Sequence, residues 1–239
     1  MKIMNDIGNK ILKFHAQLDA DNNHRYKSWE HCYTYFTKAL TEIDIACLQM
    51  AFYLASWGMY RGSSFLLWKD YLIHKYVVEH LLTKKHLQNL NFTDTTQAQI
   101  EEIFELIAWV KNWYQDNIEF INGEKRKVNV TDTLATKIIL GSLGCIPAYD
   151  RYFIDGIRNK GLSYSGLKYG NFSSVVKFYQ QHQEAFSYAN QVILKRNGVN
   201  YPPMKLVDMY FWEIGYELDQ KSSNNQLNKD APKSGAPVS

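Results

Sequence analysis

The chain is poor in the residues that build metal and nucleotide sites. Of its 239 residues three are cysteines, Cys32, Cys47 and Cys145, and no two form a C-x-x-C pair. A thiolate zinc site or an iron–sulfur cluster therefore lacks its ligand spacing. An odd set of scattered thiols, behind an N-terminus without an apolar leader, reads as a reduced cytoplasmic protein with buried thiols. No G-x-x-x-x-G-K, G-x-G-x-x-G or G-x-S-x-G motif occurs, which removes the usual starting points for phosphate-binding loops and hydrolase triads. The longest stretch without a charge, Ile45 to Tyr60, is interrupted by Gln49, Ser56 and Gly58. It falls short of the roughly 20 apolar residues of a spanning helix, so it reads as a buried core helix and no membrane partner is expected. Prolines number five, three of them before the C-terminal tail. No segment sustains the period-two alternation of a half-buried strand.

What is present is helical and aromatic. Apolar residues make up 46%, charged residues 21% and aromatics 15%, with 17 Tyr, 12 Phe and 6 Trp. The formal charge of +3, with a pI near 8.5, permits nucleic-acid binding without arguing for it. Residues 1–19 carry Ile3, Ile7, Ile11, Phe14 and Leu18 at helical spacing, one face of an amphipathic helix. His15, His24 and His31 fall in or near the polar loop that follows; their spacing fits no metal motif, so they read as solvated surface histidines. A core helix over about Glu42–Trp57 ends at WGMYRG (57–62), whose two glycines break it. The next helix is expected to start from Ser63 or Ser64 and run to Leu82. Thr93 or Asp94 then caps a helix with Ile100, Phe104, Ile107 and Trp113 on its apolar stripe; Glu101, Glu102 and Glu105 read as its solvated face. Asn122-Gly123 is a turn signal, followed by the basic run Glu124-Lys-Arg-Lys-Val128.

Val130 to Phe153 (VTDTLATKIILGSLGCIPAYDRYF) organises the rest. Thr131 or Asp132 caps a helix carrying Leu134, Ile138 and Ile139, leaving backbone N–H groups and the positive dipole end outward as a ready anion site. Gly141 and Gly144 end that helix, Pro147 stiffens the corner, and Asp150 sits in the first turn of the next helix. A loop at 161–170, a helix from Ser173 to about Arg196, and a last helix from Met204 to Leu218 complete residues 1–218 as one all-α globular domain. The expected architecture is a compact bundle of about nine or ten helices, in one domain or two packed lobes. Residues 219–239, with almost nothing to bury, read as a disordered tail.

This order of features resembles the helix-hairpin-helix DNA glycosylases over roughly residues 43–160. WGMYRG is similar to the family's wedge-bearing corner, Val130-Thr-Asp-Thr-Leu-Ala135 to the start of the second hairpin helix, and Pro147-Ala-Tyr-Asp150 to the proline-led segment holding the catalytic acid. Trp57 and Thr133 are 76 residues apart, and Thr133 and Asp150 are 17 apart. The chain departs from the pattern in two places. KVNVTD lacks the hairpin's glycine pair, and Thr133 stands where bifunctional members have a lysine. Lys137 lies one turn further along the same helical face. The resemblance thus implies a monofunctional enzyme acting on double-stranded DNA, hydrolysing the N-glycosidic bond of a flipped base, modified bases included, without a cofactor or metal.

The chemistry can be stated from the residues alone. Cleaving a base from deoxyribose develops positive charge on the sugar, which a fixed carboxylate stabilises while it orients or deprotonates water. Asp150 is the candidate catalytic residue. Trp57, Tyr60, Tyr149 and Tyr152 are candidate pocket or wedge groups for base flipping. Arg61, Thr131, Asp132, Thr133 and Lys137 are candidate DNA contacts. The plainer readings are that WGMYRG is a turn packed on the core, and that Asp150 and Asp208 are helix-capping or surface carboxylates. The alternatives to an enzyme are a non-catalytic nucleic-acid-binding module, with Asp150 spent in a capping bond, and an α-helical protein-interaction domain, marked by an exposed aromatic patch without a cleft.

Overall fold

The computed structural model describes residues 2–230, and the side chains of residues 6–224. Among them are ten α-helices and one short β-hairpin, so the architecture is all-α. The helices are α1 (Lys2–Ala20), α2 (Lys27–Phe36), α3 (Ile43–Ser56), α4 (Lys75–Thr83), α5 (Gln97–Asn117), α6 (Asp132–Ser142), α7 (Arg151–Asn159), α8 (Tyr169–Gln181), α9 (Gln183–Asn197) and α10 (Pro203–Asp230). The strands β1 (Phe120–Ile121) and β2 (Glu124–Lys125) pair antiparallel across Asn122-Gly123. Both turn residues have positive φ, 51° and 78°, the demand that Asn-Gly meets in a tight hairpin.

Apolar periodicity places the outer helices. Ile7, Ile11, Phe14 and Leu18 of α1 are all buried; Ile3 lies outside the described side chains. The stripe docks on α10, where Lys10 reaches Glu217, and Lys13 reaches both Glu213 and Glu217. His15 follows the same inward face and is buried rather than solvated. Its Nε2 lies 3.1 Å from the Asn197 amide, and no group of three metal-binding side chains exists among the described residues. The apolar α3 runs through the interior with Ala46, Cys47, Met50, Tyr53 and Leu54 buried.

Several boundaries differ from the sequence expectation, each for a local reason. The helix expected from Ser63 or Ser64 to Leu82 is divided into 3-10 turns at Phe65–Trp68 and Tyr71–His74, then α4. Ser64 and Asp70 each accept a backbone N–H two residues on, and each restarts the chain from an extended residue. The cap of α5 is Thr96, not Thr93 or Asp94: its hydroxyl accepts Gln99 N–H while the Gln99 side chain accepts Thr96 N–H, a reciprocal capping box. The single helix expected from Ser173 is two, broken at His182. Gly141 lies inside α6 and does not end it; a methyl there would come within 2.4 Å of the Tyr53 ring. The terminator is Gly144, at φ +66°, whose N–H returns to the Ile139 carbonyl. The last helix continues past Leu218 to Asp230, and the expected tail at 231–239 lies outside the described residues.

The backbones of α7 and α10 come close together at two glycines. A methyl on Gly156 would sit 1.9 Å from the Phe211 carbonyl oxygen, and one on Gly215 would sit 2.0 Å from that of Tyr152. Two helices can approach this closely only where neither carries a Cβ at the crossing. Gly215→Ala is therefore expected to cost about 3 kcal/mol through forced overpacking. That corresponds to a melting temperature lower by about 6–12 °C in a chain of this size. Gly170, at the start of α8, has nothing within 4 Å of its built methyl, so Gly170→Ala should not lower it. Thermal melts followed by circular dichroism decide; a wild-type melt for Gly215→Ala would refute the packing.

Candidate active site

The corner between α6 and α7 is held by side chains at successive backbone groups. Asp208 of α10 accepts the Ala148 N–H at 3.0 Å. Thr136 of α6 accepts the Tyr149 N–H at 3.0 Å and donates its hydroxyl to the Asp132 carbonyl at 2.7 Å. Thr133 donates to the Tyr149 carbonyl at 2.8 Å. The next residue is Asp150, and its position is fixed by what precedes it. Its Oδ1 accepts the Phe153 N–H at 3.1 Å, capping α7, and its Oδ2 faces the Lys137 ammonium at 2.9 Å.

Asp150 and Lys137 meet at the floor of a cleft of about 590 Å³. Its walls are Trp57, Tyr152 and Trp212, with Gly58, Met59 and Thr133, and Arg25, Arg61 and Arg151 complete the lining. The aromatic wall is a layered cluster. Tyr26 stacks on Trp57 at 4.5 Å and on Phe14 at 5.2 Å, while Trp212 stands edge-on to Trp57 and Tyr152 at 6.0 and 5.1 Å. The Lys137 ammonium lies 4.8 Å from the Trp57 ring centre, a cation–π distance. Arg151 is tied to Asp219 at 3.0 Å.

Behind the floor lies a second buried pair, Lys205 and Asp208, at 2.9 Å. Lys205 is boxed by the rings of Trp29, Phe14 and Trp57 at 5.0–5.3 Å. Burial pushes the Asp208 carboxyl above the usual carboxylate range, opposed by Lys205, with a further push from the Asp150 charge. Four ionisable groups thus converge from α6, α7 and α10 on one apolar interior, and each finds an opposite partner, the condition on which buried charges are tolerated.

Of the residues singled out from the sequence, the fold gathers Trp57, Arg61, Thr133, Lys137, Asp150 and Tyr152 around this cleft. Four others lie elsewhere. Tyr149 is buried against Phe153 and Tyr164 and does not line the cleft. Thr131 caps α6 through the Leu134 N–H, and Asp132 pairs with Lys111 at 2.7 Å; neither reaches the cleft. Tyr60 turns away to bond His74 at 2.8 Å, and the other ring nitrogen of His74 bonds Tyr114. Asp208, read from the sequence as a surface or capping group, is buried. Arg25, Arg151, Trp212 and Lys205 were not identified from the sequence. Lys205 and Asp208 had a signal: two charges three apart in an otherwise apolar run, Met204 to Trp212. Arg25 and Trp212 had none, since each reaches the cleft by tertiary packing. The three cysteines are buried and free, with burial pushing the Cys47 and Cys145 thiols up to about 11 and about 12, which leaves both as inert thiols. No helix among the described residues is long and apolar enough to cross a membrane. No family model matches the chain, and no curated protein or solved structure matches it.

His74 links the Gly58–Gly62 turn to α5 as a neutral imidazole between two tyrosine hydroxyls, its pKa pushed by burial from 6.5 down to about 3. Below pH 6.5 the unfolded chain takes up a proton that the folded chain refuses. Stability should therefore fall with pH from about 6.5 towards about 3, by at most about 1.4 kcal/mol per pH unit from this group. His74→Gln can replace one hydrogen bond without titrating. Its melting temperature should start lower at neutral pH and fall less steeply between about pH 6 and 4; an unchanged acid slope would show that His74 is not held neutral.

Proposed function

We propose that the chain is a monofunctional DNA glycosylase that receives an extruded base in the Trp57–Tyr152–Trp212 cleft, with Asp150 as its catalytic carboxylate. The observation that carries this reading is the placement of one carboxylate at the floor of a cavity with aromatic walls and arginines in its lining. Aromatic walls suit a base removed from its stack. Arg25 and Arg61 suit the phosphates that accompany it. Asp150, with one oxygen fixed by the α7 N-terminus, is held in one orientation, as stabilising positive charge on a sugar requires. In this reading the C1′–N bond breaks, the Asp150 carboxylate faces the sugar cation, and a water adds to C1′ as its proton passes to that carboxylate.

A second reading has its own observation. Asp150 caps α7, as it would in a module that grips nucleic acid with the same arginines and does no chemistry. The two readings part on a substitution that keeps the cap. Asn caps helices about as well as Asp and cannot take a proton from water. Purified protein incubated with duplexes carrying uracil, 8-oxoguanine, alkylated or glucosylated bases should produce alkali-labile sites. Asp150→Asn should slow their formation by about 100-fold or more while DNA binding persists. Binding without alkali-labile sites on any duplex would leave the binding module as the surviving reading, and an Asp150→Asn protein as active as wild type would remove Asp150 as the catalytic carboxylate.

A further inference from the structure

We infer that Lys137 is the proton donor to the departing base, so that Lys137 and Asp150 act as a matched pair on the two ends of the breaking bond. The inference rests on the glycosylase reading and goes beyond it, because that reading needs only the carboxylate. Heterolysis of an N-glycosidic bond separates charge: the sugar becomes positive and the base, which keeps the electron pair, becomes negative. A lone carboxylate favours the first half of that separation and opposes the second. The floor of the cleft holds a negative and a positive group 2.9 Å apart, and both line the cavity. An ammonium has three donors and no acceptor. One Lys137 donor is directed to Asp150, which leaves others for a base nitrogen or carbonyl oxygen.

The geometry around Lys137 suits this role. Its side chain is 3% exposed, so the charge is shielded from water and its field on a neighbouring group is correspondingly strong. The Trp57 ring at 4.8 Å stabilises the cation without accepting its protons. Structural pairing alone is already served deeper in the same interior by Lys205 and Asp208, which do not line the larger cleft. The proton balance closes within the pair. As the C1′–N bond breaks, its electron pair stays on the base, which takes a proton from Lys137 Nζ. Water adds to C1′ and its proton passes to Asp150. Asp150 returns that proton across the 2.9 Å contact to the neutral amine, and both groups are restored. Atoms and charge balance as the addition of one water, with no other reactant.

A base that already carries positive charge leaves as a neutral molecule and needs no proton, and this separates a donor from a merely structural lysine. Two duplexes serve as probes, one with hypoxanthine and one with 7-methylguanine. Lys137→Met should slow hypoxanthine release by about 100-fold, at least about tenfold more than it slows 7-methylguanine release. Lys137→Gln keeps a hydrogen bond to Asp150 yet has no proton to give, and should show the same split if both variants melt as folded proteins. Equal losses on the two duplexes, release by wild type of 7-methylguanine alone, or a covalent enzyme–DNA complex trapped by borohydride would each overturn the inference while leaving base excision intact. If wild type releases hypoxanthine alone, added ethylammonium decides: it should restore the rate of Lys137→Ala, and failure to do so overturns the inference. Release of neither base overturns the inference, and base excision then stands or falls on the wider panel of duplexes.

Discussion

The contact between Lys137 and Asp150 is the interaction on which the arrangement of the cleft depends. Each group would be costly alone in that interior, since an isolated buried ion is several kcal/mol worse off than in water. Because the two come from different helices, their pairing couples the rotation of α6 to the start of α7. The three bonds that hold Ala148 and Tyr149 make the same demand from the backbone side. Asp208 extends it to α10, so three helices share one set of polar constraints. Packing then has little freedom. α7 must lie along α10 at the distance set by Gly156 and Gly215, and this brings Tyr152 and Trp212 edge to face at the cleft wall.

Much of this was legible in the sequence because it is local. The apolar stripe of α1, the uncharged run of α3, the Asn-Gly turn and a cap at Thr131 or Asp132 each follow from spacing within about a dozen residues. The expectation that 130–153 forms a helix, a stiff corner and an acid at the next helix start is also local. What was not legible is non-local. His15 is read as surface from its polar neighbourhood but follows the inward face of its helix. Tyr60 belongs to WGMYRG in sequence and to His74 and Tyr114 in space. Arg25 and Trp212 join the site from opposite ends of the chain, and no spacing rule connects them. Gly141 shows the ambiguity of glycine itself: the residue that breaks a helix when exposed is required inside one when a neighbouring ring lies against the backbone.

The capping role of Asp150 and a chemical role do not compete for the same atoms. The cap uses Oδ1 and leaves Oδ2 to Lys137 and the cavity. A cap by itself is worth about 1 kcal/mol, and Ser, Thr or Asn would supply it without a charge in an interior that must then bury a lysine to match. Replacing a buried ion pair by apolar side chains of similar volume is often neutral or stabilising. Stability alone therefore gives little reason to keep both charges at this point. Lys205 and Asp208 have a structural explanation: the Asp208 carboxylate holds the Ala148 N–H, and Lys205 neutralises it. The one backbone group that the outer pair holds is the Phe153 N–H, which a neutral cap could hold as well. The physical difference between the two pairs is that the outer one meets an open cavity, where its charges can be used.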